Sequence, residues 1–158
     1  MTIQIGDTLP NVELRVMGKD GPEAVNTADL FAGKKVVLFA VPGAFTPTCS
    51  EAHLPGFVVK ADEIRAKGVD SIICTAVNDV FVMDAWGKAQ NADGIIMLAD
   101  GVGAFASALG LELDLTGVQF GKRSKRYAMI VNDGVVELLN VDEKGLETSS
   151  AEAILAAL

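Results

Sequence analysis

The sequence predicts a single α/β domain spanning residues 1–158, built on a mixed central β-sheet flanked by helices on both faces. Three observations lead there. Two continuous apolar runs, KKVVLFAV (34–41) and VDSIICTAV (69–77), have strand length and lack polar alternation, as strands buried on both faces do. A segment with helical punctuation lies between them and another follows, the arrangement that gives parallel strands with crossover helices. The pattern then changes: RYAMIV (126–131), the turn NDG (132–134) and VVELLNV (135–141) form an antiparallel hairpin signature.

Taken in order, Val12 to Val16 alternates and reads as an edge strand, and VMGKDGPE (16–23) carries turn chemistry. The run 34–41 ends in Pro42-Gly43. Residues 49–67 follow as a helix, broken or kinked around Pro55-Gly56 because proline removes an amide donor, and Gly68 stops it. Asn78 or Asp79 can cap a helix reaching Asn91. GIIMLAD (94–100) is a third strand, with a short helix of small residues near 101–110. SSAEAILAAL (149–158) is a terminal helix, with Ser149 and Glu152 spaced as a capping box. Alternating strands and helices closed by a hairpin and a helix is the order of a thioredoxin-like fold.

Composition narrows the function. At 158 residues, half of them hydrophobic, the chain can bury a substantial core, and few aromatics make that core aliphatic. A net charge of −8 disfavours diffuse binding to nucleic acid or to an anionic membrane. The N-terminus lacks the charged-then-apolar pattern of a leader, the apolar runs near 36–41 are strand length, and a cytoplasmic protein is expected. Two distant cysteines, no Cys-x-x-Cys and one histidine exclude a disulfide scaffold and a closed Cys/His zinc site, and no metal or organic cofactor is expected. GVGAFA (101–106) matches a dinucleotide-loop pattern, but it follows the third strand and has no acidic ribose partner, so close helix packing explains it better.

The chemistry concentrates in FAVPGAFTPTCSEAHLPGF (39–57). Cys49 stands where the helix begins. Unpaired amides and the positive end of the helix dipole meet there, and both favour a thiolate, the reactive form of the residue. Thr46 is close enough in a tight turn for its hydroxyl to reach the sulfur or a bound oxygen, and Pro42 and Pro47 stiffen the loop. A lone thiol is ordinarily a buried, inert hydrophobe, and that alternative stands until the surrounding residues are weighed. His53, four residues on, could approach the sulfur from one helix face and make a Cys–His pair, although no Asn or Asp orienter accompanies it. Glu51 suits a helix start electrostatically and needs no further role.

Pro42-x-x-x-Thr46-x-x-Cys49 resembles the active-site signature of the peroxiredoxins, and the longer stretch is similar to their type-II, or atypical type-five, group. AVNDVFVMDAWGKA (76–89) and RSKRYAMIVNDGVVELLNV (123–141) extend the resemblance over nearly the whole chain. It implies a thiol peroxidase acting on hydrogen peroxide and alkyl hydroperoxides. Cys49 becomes the peroxidatic cysteine and is oxidised to a sulfenic acid. Thr46 contacts peroxide and thiolate, Pro42 shields the site, and Arg126 supplies fixed donors to both. Amides of the 43–49 loop assist, with Gly43, Phe45 and Thr48 lining the substrate position. Of the basic run 122–126, Lys122 and Lys125 read as solvated charge, and Arg123 as a support for Arg126 or a contact for a reductant.

The resemblance also bears on turnover. Some atypical members carry a resolving cysteine before the last helix, where this chain has Thr148 and Ser149. Cys74, inside SIICTAV, reads as a buried inert thiol, so the oxidised Cys49 is expected to be reset by an external thiol: glutaredoxin with glutathione, or thioredoxin. Homodimers are common in the group, with Phe45 and Phe81 as candidate contacts. The rival reading is a thioredoxin-fold redox sensor or chaperone-like protein that passes oxidation to a partner. It shares the thiolate but does not require the Thr46–Cys49–Arg126 set.

Overall fold

The structure, a computed structural model, describes residues 2–158. The chain opens with a hairpin of β1 (Glu13–Gly18) and β2 (Gly21–Asn26), followed by a short helix α1 (Thr27–Phe31). The segment 16–23, expected as a turn, turns only at Lys19-Asp20, with Gly21 at φ 121° where a side chain would be strained. Pro22 is accommodated in β2 because that strand is at the sheet edge, where a missing amide costs no ladder bond.

Next come β3 (Lys35–Ala40), a π-helical turn (Cys49–His53) and α2 (Leu54–Ala66). They are followed by β4 (Ser71–Ala76), α3 (Val80–Ala89), β5 (Ile96–Ala99) and α4 (Ala104–Leu109). Asp79 rather than Asn78 caps α3, accepting from the Val82 amide at 2.9 Å. Asp100 accepts from the amides of Phe105 and Ala106 at the start of α4, filling with a carboxylate the cradle that a phosphate-binding loop leaves for its ligand. The GVGAFA stretch is thus accounted for within the fold.

A separate two-stranded ribbon, β6 (Glu112–Leu115) and β7 (Gly121–Ser124), follows. β8 (Arg126–Asn132) and β9 (Val135–Asp142) form the expected hairpin, turning through Asp133 and Gly134 at φ 50° and 78°. The chain ends in α5 (Ala151–Ala157). Ser150, not Ser149, caps that helix, accepting from Ala153 N at 3.2 Å. The capping box expected from Ser149 and Glu152 does not form, because the Ser149 hydroxyl is given to Asp142 at 2.6 Å.

The seven strands lie in the order β2-β1-β5-β4-β3-β8-β9. β3, β4 and β5 are parallel, and β1, β8 and β9 join antiparallel, giving the mixed sheet of a thioredoxin fold. Helices cover both faces. Phe57 and Ile64 of α2, Trp86 of α3 and Ile154 of α5 bury against Val37, Phe39 and Ile72. Phe31 of α1 with Phe105 and Leu109 of α4 bury against Val36, Leu38, Ile73 and Met129. Each such side chain contributes roughly 1.5–3 kcal/mol of apolar burial, so the sheet is a rigid platform for whatever sits at its rim. Among the described residues no helix is long and apolar enough to cross a membrane.

One register decides where the site forms. β8 runs antiparallel to β3, with Ala40 opposite Tyr127, so the start of β8 lies beside the end of β3. Arg126 therefore emerges where the chain leaves β3 for the Pro42 loop.

Candidate active site

The loop after β3 is held at several points. The Val41 amide donates to Thr75 O at 3.1 Å, and the Ala44 amide to Asn78 Oδ1 at 2.9 Å. Thr46 Oγ1 donates to Gly43 O at 2.6 Å, which leaves the hydroxyl lone pairs able to accept. A side chain at Gly43 would press on Thr46 Cγ2 at 3.1 Å, so the tight turn depends on glycine there. Phe45 is held at φ 65°, a conformation uncommon for a bulky residue and found where surrounding structure dictates it.

Helical backbone begins at Pro47, whose missing N–H is no loss at a first helical position. It widens to π geometry over Cys49–His53, closed by the Leu54 amide donating to Cys49 O. The helix was expected to kink at Pro55-Gly56. The distortion instead lies one turn earlier, because the Pro55 ring crowds the carbonyl four residues back, Glu51, and cannot donate to it. π turns of this kind recur at functional sites, where they re-aim side chains.

Cys49 is fully buried, and so is His53 beside it in the turn. Arg126, only 8% exposed, enters from β8 and donates from Nη2 to Cys49 Sγ at 3.1 Å. A buried guanidinium is tolerated only when its donors are satisfied. The second arm of Arg126 does so: Nη1 lies 2.8 Å from His53 Nδ1, and His53 Nε2 lies 2.9 Å from Ser149 O. A carbonyl oxygen can only accept, so Nε2 carries the ring proton and Nδ1 accepts from Arg126. Burial, with the Arg126 charge beside it, brings the His53 pKa down to about 3, keeping the ring neutral.

His53 thus meets the arginine and not the sulfur, and a Cys–His hydrolase pair is not formed. The bond to Arg126 was missed in the sequence because helical spacing speaks only to neighbours on the same helix. Pro42 lies by the site. It lines a cavity of about 140 Å³ together with Arg126, Lys125, Asp142 and Glu143. A larger cavity of about 430 Å³, between α3 and the β1–β2 hairpin, is remote from the thiol and takes no part in it.

The other sequence candidates fall in different places. Gly43 is buried and serves through its carbonyl, whereas Phe45, 55% exposed, and Thr48 face solvent and are not drawn into the buried cluster around the sulfur. The amides of Ala44, Thr46 and Ser50 are already bonded within the protein. The amides of Gly43 and Phe45, and those of Thr48 and Cys49 in the first helical turn, take no part in these bonds, so four donors of the 43–49 loop remain. Arg123 does not support Arg126. It donates to Val77 O and Phe120 O, each at 3.0 Å, and pins β7 to the end of β4. Lys122 and Lys125 pair with Glu112 and Glu143 at the surface. Cys74 is fully buried in β4, and burial, then the nearby Cys49, pushes its thiol well above the ordinary cysteine range.

The Redoxin family model matches residues 4–155. Peroxiredoxin-2E, chloroplastic, of Arabidopsis thaliana is 51% identical, over 99% of this chain and 70% of its own length. Peroxiredoxin-2C of Oryza sativa subsp. japonica is 49% identical, over 99% of this chain and 98% of its own. Among solved structures, reduced Prx3 from Vibrio vulnificus in complex with hydrogen peroxide superposes with a TM-score of 0.96 at 60% identity, covering 99% of both chains. A family match across nearly the whole chain, relatives at about half identity and a shared fold lead to one conclusion: the chain belongs to the type-II peroxiredoxins and is a thiol peroxidase.

Proposed function

We propose that Cys49 is the residue that attacks peroxide and that Arg126 is the group that aligns it. The observation that carries this reading is the 3.1 Å approach of Arg126 Nη2 to the fully buried Cys49 Sγ. The Cys49 sulfur, as thiolate, attacks the distal oxygen of the hydroperoxide in line with the O–O bond. A new S–O bond forms, the O–O bond breaks, and the leaving oxygen departs with a proton as water or an alcohol. Negative charge moves from sulfur to the leaving oxygen during this step. A fixed guanidinium beside the sulfur stabilises that redistribution without reorganising at the moment of reaction. Thr46 accepts a hydrogen bond from the peroxide with its free lone pairs, Gly43 holds Thr46 in place, and Pro42 closes the pocket against water.

The product is Cys49 sulfenic acid, two electrons more oxidised than the thiol. An external thiol attacks its sulfur, water leaves, and a second thiol releases the resulting mixed disulfide. The external source is supported by the sequence before the last helix, where Thr148 and Ser149 stand and no cysteine does, and by the burial of Cys74. Glutaredoxin with glutathione, or thioredoxin, would fill that role. The complete burial of Cys49 favours hydrogen peroxide and small alkyl hydroperoxides as substrates. Hydrogen peroxide is also what the Vibrio vulnificus relative holds.

We also propose a homodimer through the surface around the active-site loop. Phe45 on that loop and Phe81 in α3, which follows the Asn78 that bonds the loop, are 55% and 65% exposed. Phe45→Asp with Phe81→Asp should give a monomer by sedimentation velocity. An unchanged sedimentation coefficient would place the interface elsewhere. The peroxidase reading is tested by following hydrogen peroxide consumption coupled to glutathione and glutaredoxin, or to thioredoxin. Unchanged turnover in Cys49→Ser would overturn it.

A further inference from the structure

Five bonds converge on Asp142, the last residue of β9. Oδ1 accepts from Thr148 N at 3.0 Å and Thr148 Oγ1 at 2.8 Å. Oδ2 accepts from Glu147 N at 2.9 Å, Ser149 N at 2.9 Å and Ser149 Oγ at 2.6 Å. One carboxylate therefore closes the loop 143–148 back on its own stem. The loop also ends on the residue whose carbonyl faces His53 Nε2 at 2.9 Å. From there the contacts pass to Arg126 Nη1 at 2.8 Å, and from Arg126 Nη2 to Cys49 Sγ at 3.1 Å.

We propose that Asp142 is a positioning residue of the peroxidase reaction, holding Ser149 so that its carbonyl fixes the His53 ring and, through it, the Arg126 guanidinium against Cys49. The proposal rests on the reading in which Cys49 and Arg126 carry the chemistry. Each link has one permitted polarity. The Asp142 carboxylate only accepts, so it orients the amide and hydroxyl of Ser149. The Ser149 carbonyl only accepts, so it takes the Nε2 proton. That choice makes Nδ1 an acceptor, the only role in which it can bond a guanidinium. If the Ser149 carbonyl swings away, the ring is free to place its proton on Nδ1, where it opposes Arg126 Nη1–H. The arginine then loses the contact that fixes its fork. Asp142 and Arg126 also line the same cavity of about 140 Å³, so a loosened loop leaves room for the guanidinium to move. The charged groups around the ring are Arg126 on β8 and Asp142 on β9. Asp142 is held well below the ordinary carboxylate range: burial works against this, but the hydrogen bonds from Ser149 Oγ and the 147–149 amides outweigh it, so it remains an acceptor at neutral pH.

The test compares two rates at Cys49 in the full-length protein at one pH: sulfenic acid formation with hydrogen peroxide, followed by stopped flow, and alkylation by iodoacetamide. Both reagents need the thiolate, but only peroxide, whose leaving oxygen gathers charge as the O–O bond breaks, also needs an aligned guanidinium. Asp142→Ala should lower the peroxide rate about tenfold or more while alkylation holds steady or rises. Asp142→Asn, which keeps one acceptor oxygen and more of the loop, should fall between native and Ala. It serves as the readout if the alanine variant does not fold. In a His53→Gln background, Asp142→Ala should cost little further, because its effect passes through the ring. A peroxide rate within twofold of native in both variants, or an Asp142→Ala loss undiminished beside His53→Gln, would overturn the proposal. Parallel losses in both rates would do so as well. Cys49→Ser separates this from the underlying reading, since retained turnover there would sink the assignment of the thiol itself, whatever Asp142 does.

Discussion

The indole N–H of Trp86 donates to Ser50 Oγ at 3.0 Å, tying α3 to the π-helical turn one residue beyond Cys49. Trp86→Phe keeps most of the buried ring and deletes the donor. Stability to urea should fall by about 0.5–1.5 kcal/mol, the net worth of one such bond. Ser50→Ala should cost a similar amount, and the double variant less than the sum. Strict additivity in that cycle would mean that the bond contributes nothing to holding the turn.

Arg126 presents two donors at a fixed spacing, one to sulfur and one to imidazole. Arg126→Lys keeps the charge but offers a single mobile head that cannot satisfy both partners. Both Arg126→Lys and Arg126→Gln should lower the rate of sulfenic acid formation, on the order of 10²–10³-fold for Gln, as loss of one preorganised donor does elsewhere. Full rescue by Lys would show that charge alone matters and that the fork geometry does not.

Stability should depend on pH through His53. Its pKa falls from 6.5 in the unfolded chain to about 3 in the fold, through burial and the Arg126 charge. Below pH 6.5 the unfolded chain takes up a proton that the native ring refuses, so stability is complete above 6.5 and is lost as pH falls toward 3. The slope approaches about 1.4 kcal/mol per pH unit once the unfolded histidine is fully charged. The contribution of Asp142, held down by its loop bonds, is lost only at lower pH, below its unfolded value of 3.8. Urea titrations from pH 7 to pH 4.5 should therefore show a slope that His53→Gln flattens. The same slope in both proteins would mean that His53 is not the group responsible.

Cys74 should be a spectator. Burial keeps its thiol protonated in β4, so Cys74→Ala should retain peroxide turnover with an external thiol, at some cost in melting temperature from the small cavity. Peptide mapping after one equivalent of hydrogen peroxide should find Cys49 oxidised and Cys74 free. A Cys49–Cys74 disulfide in that digest would assign Cys74 the resolving step instead.

Much of the fold was legible because its signals are local. The apolar runs at β3 and β4, the Asp133-Gly134 turn and the Asp79 cap each write their conformation in a few neighbouring residues. The elements that escaped notice lack such signals. β2 contains Pro22 and exposed Glu23, β6 and β7 carry charge on both sides of a ribbon, and α1 is five residues long. The site divided in the same way. Cys49, Thr46 and Pro42 stand within eight residues, and their turn chemistry made them visible, while Arg126 came from the family resemblance. His53 was seen, but its partner was not, since the contact joins a helix to a strand 73 residues later. Asp142 gave no signal at all, because a carboxylate at a strand end looks like any solvated charge until the loop folds over it.

The antiparallel placement of β8 against β3 has a consequence for the birth of the protein. The thiol leaves the ribosome 77 residues before the arginine that completes its pocket. Until β8 has been made and has paired with β3, the nascent chain carries the sulfur without its guanidinium, so the aligned site forms only after that pairing.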